Sequence, residues 1–260
     1  MYDPTGKTVV TQGDIVAGLQ QIGLQPGDLV QVHSSLSAFG YVEGGADTVV
    51  DALLEVVGPE GTVMAPTFNH GHADVFDIKT TASTDGAVTE ALRKRPEARR
   101  SMHPTHPYAA IGPVADYLVE GHLEAGTFSY QCPLGKLAIW GGHVLLLGVG
   151  MNTNTAFHMG ETMAHCPCIG PKLQPRKLLD GFGNVVPVWA DTFRRHSPCL
   201  VEQAIEEHMR KRNLITDSQI GEAEVHLMRA ADVIGAAFVL ALKLCPKCPN
   251  GFNQPKPEDE

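Results

Sequence analysis

Apolar residues recur along the chain with the two periods expected of helices and buried strands. Between Ala46 and Val57, apolar residues such as Val49, Val50 and Leu53 follow helical spacing, which predicts an amphipathic helix. Continuous apolar runs bounded by Gly or Pro are typical of buried strands. We predict strands at 28–33, 62–67, 108–111 and 143–149, and helices at 46–57, 86–95, 154–164, 198–212 and 229–244.

A further helix near the N-terminus carries boundary signals at both ends. Thr11 can cap it, Asp14 is an acid in its first turn, and Gly23 follows its last residue, Ile22. Segments 184–189 and 222–227 are predicted as additional strands that can pair antiparallel. Helices that alternate with apolar strands imply a single layered α/β domain, with a central mixed sheet flanked by helices.

The composition is that of an ordinary globular protein. The chain has 260 residues, of which 43% are hydrophobic and 19% charged, enough to bury a core without disulfides. We predict one domain over residues 1–245 and a mobile tail over 246–260, where proline and charge accumulate. A net charge of −9 argues against a nucleic-acid partner and is compatible with a cationic one.

The sequence also bears on compartment. We find no secretory signal, and the longest uncharged apolar run, 233–242, is too short to span a bilayer. Six cysteines in such a chain are expected to be reduced thiols or metal ligands rather than a disulfide framework. We therefore expect a cytoplasmic protein with no membrane partner, and leave a homodimer open.

Two polar loops follow predicted strands and offer groups that bind anions. Ser34, Ser35 and Ser37 come after one strand, and Gly44-Gly45 precede the next helix, so hydroxyls and N–H groups there can hold phosphate. The segment 99–108, RRSMHPTHPY, can neutralise phosphate with its arginines. Taken alone, the first loop is more typical of a capped connection, and the second equally fits a solvated charge pair.

A histidine and a glutamate stand one helical turn apart after the strand at 143–149. His158 and Glu161 share one face of the predicted helix, for which Thr153 or Asn154 is the expected cap. A carboxylate beside an imidazole fixes its tautomer, as a general base requires. The spacing alone also fits a simple ion pair, but ligand sites of α/β proteins collect at the ends of buried strands.

These segments, taken in order, resemble the aminoglycoside 3-N-acetyltransferase family. The similarity covers 32–68 with HSSLSAFG, 83–113 with ARRSMHPTH, 133–137 with PLGKL, and 144–161 with NTNTAFHMGE. It is specific because several unusual strings keep their order and approximate spacing. The C-terminal hundred residues fit the family less clearly.

The resemblance implies an enzyme that transfers an acetyl group from acetyl-CoA to the amine of a cationic small molecule, by default the 3-amino group of an aminoglycoside. It implies a fold other than the common N-acetyltransferase fold. His158 would be the catalytic base and Glu161 its partner. The residues expected to bind the cofactor are His33, Ser34, Ser35, Leu36, Ser101, His103 and Tyr108.

Two departures from the family pattern are visible. Pro107 follows HPTH and has no N–H to donate to the cofactor. Gly160 stands in HMGE, where we expect it to weaken the helix by roughly 1 kcal/mol relative to Ala. Acids that could attract a cationic acceptor include Asp74, Asp77 and Asp85, together with those between Glu161 and Asp191. The donor to the reacting carbonyl oxygen is open between a backbone N–H of the HSSL loop and the Thr155 hydroxyl.

Several alternatives remain at this point. The acceptor could be a different, biosynthetic or endogenous amine, or the protein could bind CoA without turnover. A metal-dependent hydrolase could use His70, His72 and Asp74, with His103 and His106 as a second short-spaced pair. Cys166 and Cys168 could meet Cys245 and Cys248 in a structural zinc site. For these cysteines we favour four unrelated reduced thiols and predict no bound metal.

Overall fold

The strands and helices were located in a computed structural model that describes residues 6–169, 171–193 and 202–247. Within these ranges the strands are β1 Val9–Val10, β2 Leu29–Ser34, β3 Tyr41–Val42, β4 Thr62–Pro66, β5 Arg99–Arg100, β6 Tyr108–Ile111, β7 His143–Leu147, β8 Pro171–Leu179, β9 Val185–Phe193, β10 Thr216–Ile220 and β11 Ala223–Arg229. The helices are α1 Gln12–Ile22, α2 Ala46–Val57, α3 Ala87–Lys94, α4 Ala115–Val119, α5 His122–Ala125, α6 Pro133–Ile139, α7 Ala156–Met163, α8 Glu202–Arg210 and α9 Ala230–Leu244.

The main sheet has the strand order β10-β11-β7-β2-β4-β6-β5 across the described residues. Its central strand, β2, runs parallel to both neighbours, β4 and β7. The outer pairs are antiparallel, so that β6 starts where β4 ends, with Tyr108 opposite Pro66. The carboxyl ends of β2, β4 and β7 therefore share one edge with the segment that enters β6. The predicted mixed sheet is confirmed.

Side chains alternate across the sheet and build a core on each face. Val30 and Val32 of β2 belong to the cluster that α1 and α2 cover. The intervening Gln31 and His33 are buried but polar, and Gln31 bonds to Thr155 just before α7 on the other face. Since successive residues of a strand point to opposite faces, β2 delivers two polar side chains to the face that α7 covers.

Most predicted elements lie where the pattern placed them. α1 has the predicted capping box between Thr11 and Asp14, and Gly23 ends it in the left-handed conformation. The helix predicted at 154–164 begins later, at Ala156, and its N-cap is Thr155. For the helix predicted at 198–212, the described part is α8, because 194–201 lie outside the described residues.

The strand predicted at 184–189 belongs to a hairpin instead of the main sheet. β8 and β9 pair antiparallel with each other as a separate two-stranded sheet. Main-chain hydrogen bonds tie the hairpin to Phe76, whose N–H donates to the Lys177 carbonyl and whose carbonyl accepts from Leu179. Its tip and outer face expose apolar side chains: Phe182 is 93% and Trp189 65% exposed.

α7 and α9 pack closely because a glycine faces the contact. A methyl group on Gly160 would overlap the Ile234 carbonyl oxygen and the side chain of Ala237. The expected weakening of the helix by Gly160 is thus offset by close helix packing.

The C-terminal end of the described chain is partly ordered. Cys245–Lys247 forms a one-turn 3-10 helix directly after α9, and its last two residues lie in the segment predicted as a mobile tail. Residues 248–260 lie outside the described residues, and the domain extent of 1–245 stays a prediction. Within the described ranges, no helix is both long and apolar enough to cross a membrane.

Candidate active site

His158 and Glu161 lie side by side on the first two turns of α7. The Nδ1 atom of His158 is 2.7 Å from Oε2 of Glu161, whose side chain is completely buried, whereas the His158 side chain is 15% exposed. With Glu161 ionised, Nδ1 carries the proton and donates, and Nε2 is left as the basic nitrogen. This is the geometry of an oriented general base.

The start of α7 holds His158 in place. Asn154, which is fully buried, accepts a hydrogen bond from the N–H of Ala156 through its side-chain oxygen. Thr155 occupies the N-cap position, and its carbonyl accepts from the N–H of His158. Asn154 therefore satisfies a first-turn N–H as predicted, although the cap itself is one residue later. The Thr155 side chain is thereby available for other contacts.

Gln31, His33 and Thr155 form a polar network beneath the His158 face. The Gln31 side-chain amide lies 2.9 Å from Nε2 of His33 and donates to the Thr155 hydroxyl oxygen at 3.0 Å. Burial lowers the pKa of His33 to about 4, so this imidazole is neutral at pH 7. Because the Thr155 oxygen already accepts a hydrogen bond, its own proton can be donated elsewhere.

His158 faces a cavity of about 590 Å³ at the carboxyl edge of the central strands. Its wall includes His33, His106, Thr155, His70 and Asp85. Asp85 accepts a hydrogen bond from the N–H of Phe68 at 2.6 Å and lies 3.5 Å from Nε2 of His70. Burial and then the neighbouring charges of His103 and His70 lower the pKa of His106 to about 3. The cavity therefore combines the acidic side chain of Asp85 with two buried imidazoles, of His33 and His106, that are neutral at pH 7.

A second cavity of about 480 Å³ adjoins the first along Ser34 and Gly86, which line both. Ser35 and Leu36, two of the residues predicted to bind the cofactor, also line it, and so does Gly45. Gly45 and Gly86 are the N-caps of α2 and α3, and neither offers a side chain to bond with the first N–H groups of its helix. Such helix starts bind phosphate groups.

Three of the residues predicted to contact the cofactor lie beneath these walls. Ser101, His103 and Tyr108 are at most 1% exposed, and none of them lines either described cavity. The Ser101 hydroxyl oxygen accepts from the N–H of Tyr108 and lies 2.8 Å from Nδ1 of His122. Neighbouring side chains cover all three residues, and their role toward the cofactor stays a prediction.

His103 joins the loop at 101–107 to the hairpin through Asp191 of β9. Its Nε2 lies 3.1 Å from Asp191, which also accepts from the N–H and hydroxyl of Thr127. Burial raises the pKa of Asp191, but the bonds from His103 and Thr127 outweigh it and hold that pKa well below its usual range. The Asp191 carboxylate is thus ionised at neutral pH and anchors the β8–β9 hairpin to His103 and Thr127.

Sequence reasoning missed Gln31 and the buried partners His122 and Thr127. The signal for Gln31 was available, since a polar residue two positions before His33 in an apolar strand must share its face. His122 and Thr127 carried no local signal, because they meet their partners only through the tertiary fold.

The structure does not bring together the metal ligands that the hydrolase alternative requires. His70 lines the first cavity, whereas His72 and Asp74 are exposed on the adjoining loop. Across the described ranges, no group of three or more His, Cys, Asp or Glu side chains is arranged to hold a metal ion. Asp77, another candidate for the acceptor, instead accepts hydrogen bonds within its own turn from Lys79 and Thr80.

Comparison with known proteins identifies the family to which this fold belongs. The family described as aminoglycoside 3-N-acetyltransferase matches residues 31–240. Aminoglycoside N(3)-acetyltransferase VIII of Streptomyces fradiae is 31% identical over an alignment of 264 residues including gaps. The alignment covers 86% of this chain and 89% of that relative. The solved structure of AAC-IIIb in a binary complex with CoASH is similar at a TM-score of 0.81 and 26% identity, over 95% of this chain and 100% of that one. Sisomicin-bound AAC-VIa is similar at a TM-score of 0.82 and 27% identity, over 91% and 99%.

The fold and these likenesses define an acetyl-CoA-dependent N-acetyltransferase that acts on a small-molecule amine. The chain belongs to the aminoglycoside 3-N-acetyltransferase family. The family resemblance drawn from the sequence, the enzyme class and the acetyl-CoA co-substrate are thereby confirmed.

Proposed function

We propose that the protein acetylates the 3-amino group of an aminoglycoside, with His158 as general base and Glu161 as the residue that orients it. The observation that carries the proposal is the 2.7 Å contact between His158 and the buried Glu161, at the wall of a cavity that also contains Asp85.

The second cavity fits the cofactor. Acetyl-CoA supplies the acetyl group as an activated thioester. The N-termini of α2 and α3, through the N–H groups after Gly45 and Gly86, present positive partial charge to its phosphates. Ser34 and Ser35 add hydroxyl donors to the same wall. Ser34, shared by both cavities, marks the passage by which the acetyl end reaches the His158 side.

His158 moves the proton of the reaction. An ammonium group is not nucleophilic, so the acceptor reacts as the free amine, after it has lost one proton to solvent. Nε2 of His158 takes the next proton from this nitrogen as the nitrogen bonds to the acetyl carbon. The carbon–sulfur bond then breaks, and the imidazolium returns the proton to the leaving thiolate. The Glu161 carboxylate stabilises the imidazolium between these steps.

Thr155 supplies a hydrogen bond to the carbonyl oxygen of the acetyl group as negative charge develops on it. Its hydroxyl oxygen accepts from Gln31, so its proton is oriented away from that amide. Thr155 lines the same cavity as His158 and lies one turn before it on the helix. A donor placed in this way typically contributes about 10²–10³-fold in rate.

Asp85 anchors the acceptor. Its side chain is 19% exposed, and it lines the His158 cavity. A partly desolvated carboxylate attracts ammonium groups more strongly than a surface acid does. Aminoglycosides carry several ammonium groups, so one can bind Asp85 while another is presented to His158.

The test is acetyl-CoA-dependent thiol release with a panel of aminoglycosides and unrelated primary amines, with the acetylated position assigned by NMR. Wild-type protein is expected to acetylate aminoglycosides at the 3-amino group. His158→Ala is expected to lower turnover by about 10²–10⁴-fold without weakening CoA binding, because His158 lies outside the second cavity.

Two results would contradict the proposal. Near-normal turnover in His158→Ala would remove the assigned base. Acetylation of unrelated amines, with aminoglycosides inert, would keep the enzyme class and replace the acceptor by another amine.

A further inference from the structure

We propose that His70 binds the acceptor together with Asp85, so that one ammonium group of the substrate is held between the Asp85 carboxylate and the His70 imidazole. The inference rests on the proposed function, in which Asp85 anchors a polycationic acceptor, and it adds a second contact to that anchor. His70 thereby becomes a specificity-determining residue on the acceptor side of the cavity.

His70 and Asp85 face each other at the wall of the cavity that contains His158. Both residues line this cavity, and Nε2 of His70 lies 3.5 Å from Oδ1 of Asp85. This separation is longer than a normal hydrogen bond, so the two groups do not fully engage each other. A single ammonium nitrogen can bond to both atoms, because charge-assisted contacts of about 2.8 Å to each would close a triangle on that separation.

The two oxygens of Asp85 have different surroundings. Oδ2 accepts from the N–H of Phe68 at 2.6 Å and from the Ser83 hydroxyl, which fixes the carboxylate on its loop. Oδ1 is the oxygen that faces His70. The Asp85 side chain is 19% exposed and that of His70 50% exposed, so a ligand in the cavity can reach both. Oδ1 can therefore bind an ammonium group without loss of the contacts that hold the loop.

Phe68 supports both members of the pair. Its N–H donates to Asp85, and its ring packs edge-to-face against the His70 imidazole, with the ring centroids 5.8 Å apart. The His106 ring packs against His70 in the same manner, at 5.5 Å. Phe68 is buried, so its position is fixed by the core. The two groups are thus in place before the substrate arrives, which reduces the cost of ordering them on binding.

The main chain at His70 is held in a conformation that most residues avoid. His70 has a φ of 51°, in the left-handed region. The buried side chain of Asn69 donates to the Pro104 carbonyl and accepts from the N–H of Gly71. The N–H of His70 donates to the Thr105 carbonyl at 3.0 Å. These hydrogen bonds maintain the turn that brings the imidazole into the cavity wall.

The chemistry of the pair selects a protonated amine. Burial lowers the pKa of His33 to about 4 and that of His106 to about 3, so neither of these cavity histidines competes as a cation for Asp85 at pH 7. Neutral His70 with its proton on Nδ1 offers Nε2 as an acceptor beside the carboxylate. To bond to both atoms, a ligand nitrogen needs at least two N–H groups, as protonated primary and secondary amines have.

The test measures the binding of sisomicin, the aminoglycoside in the AAC-VIa structure, by isothermal titration calorimetry without acetyl-CoA. His70→Phe keeps an aromatic ring against Phe68 and removes the nitrogen acceptor, so the dissociation constant is expected to rise about 10-fold or more. His72→Phe, at an exposed position on the same loop, is the matched control and should leave the dissociation constant unchanged.

A second variant covers the case in which phenylalanine prevents folding. Asparagine tolerates the left-handed conformation, and its amide can replace Nδ1 of His70 but does not extend to Nε2. His70→Asn should therefore show the same loss of sisomicin binding. An unchanged dissociation constant in either folded variant would overturn the proposal. So would an equal change in the KM for acetyl-CoA, since that result marks a role in packing alone.

A double-mutant cycle with Asp85→Asn shows whether both groups hold the same ammonium. If they do, the loss of sisomicin binding in the His70→Phe/Asp85→Asn variant is smaller than the product of the two single losses, by at least about twofold. A double loss equal to that product would overturn the shared contact.

Failure of the proposed function gives a different pattern. Wild-type protein that binds sisomicin with the predicted dependence on His70 but does not acetylate its 3-amino group would refute the proposed function and retain the His70–Asp85 pair. Wild-type protein that acetylates sisomicin with no effect of His70 on binding would retain the function and refute the pair. Absence of sisomicin binding to the wild-type protein would refute both.

Discussion

Gly160 of α7 faces the main-chain carbonyl of Ile234 in α9 so closely that a methyl group on Gly160 would overlap that oxygen. The position of α7 therefore depends on the absence of a side chain at Gly160 as well as on the residues that the helix carries. α7 carries both His158 and Glu161, so a shift of this helix moves the proposed base.

Gly160→Ala is accordingly expected to destabilise the protein, by about 1–3 kcal/mol, because overpacking at a tight contact outweighs the gain in helix propensity. Gly235→Ala is the matched control. Gly235 is an exposed helical glycine of α9 with open space where an added methyl group would lie, so alanine there should stabilise by about 0.5–1 kcal/mol. Urea unfolding followed by far-UV circular dichroism measures both. Stabilisation by Gly160→Ala would refute the close packing.

Glu161→Gln should lower kcat while leaving the KM for acetyl-CoA unchanged. Glutamine preserves the shape and one acceptor oxygen but removes the charge that stabilises the imidazolium, so a loss of about 10²–10⁴-fold is expected. Glu206→Gln, which removes a carboxylate from the exposed Arg210 pair on α8, serves as control. Steady-state kinetics with both substrates varied separates the two parameters. An unchanged kcat in Glu161→Gln would leave the base without its assigned partner.

Thr155→Val should lower kcat by about 10²–10³-fold, since it removes a donor to the developing negative charge. Valine also removes the acceptor of the Gln31 amide, so Thr155→Ser is needed to restore both hydrogen bonds. Recovery of most of the rate in the serine variant, with valine inactive and folded, identifies the hydroxyl. A fully active Thr155→Val would return the role to a backbone N–H of the HSSL loop.

Asp85→Asn should raise the KM for a polycationic acceptor. A hydrogen bond to a charged group is worth about 1.5–3 kcal/mol, or roughly 10- to 150-fold in binding. Asparagine can still accept from the N–H of Phe68, so the loop should keep its shape. Asp74→Asn, an exposed acid on the same segment, is the control and should change little. The KM for acetyl-CoA should be unaffected, and an equal loss for both substrates would argue for a folding defect.

Stability should fall as the pH is lowered from about 6.5 to about 4. Burial lowers the pKa of His33 to about 4 and of His106 to about 3, whereas both titrate near 6.5 when unfolded. In this window the unfolded chain binds the additional protons, so each histidine contributes a slope of about 1.4 kcal/mol per pH unit.

His106→Asn tests this assignment, because its side chain can replace Nδ1 as the partner of the Thr105 hydroxyl. The slope of the unfolding free energy against pH should decrease by about one proton equivalent. His72→Asn, at an exposed position, should leave the slope as in wild type. If both variants show the wild-type slope, proton uptake lies at other groups.

The elements that the sequence predicted well are those whose signals are local. The capping box of Thr11 and Asp14, the stop at Gly23 and the apolar stripe of α2 each lie within one element. The His158–Glu161 pair is also local, because a single helical turn joins the two residues.

The elements that it missed depend on distant partners. Ser101 meets His122 across 21 residues, and His103 meets Asp191 across 88, so their burial could not be read from a loop sequence. The β8 strand contains prolines and positive charges, and among the described strands it pairs only with β9. Its sequence therefore lacks the alternation of apolar and polar residues that marks a half-buried strand. The effect of Gly160 was misjudged for the same reason, since helix propensity takes no account of the packing against α9.

The hairpin has a practical consequence for spectroscopy. Trp140 and Trp189, the two tryptophans of the chain, are 54% and 65% exposed in the folded protein. Their indole rings already meet water, so fluorescence emission will shift little on denaturation and is a poor monitor of global unfolding.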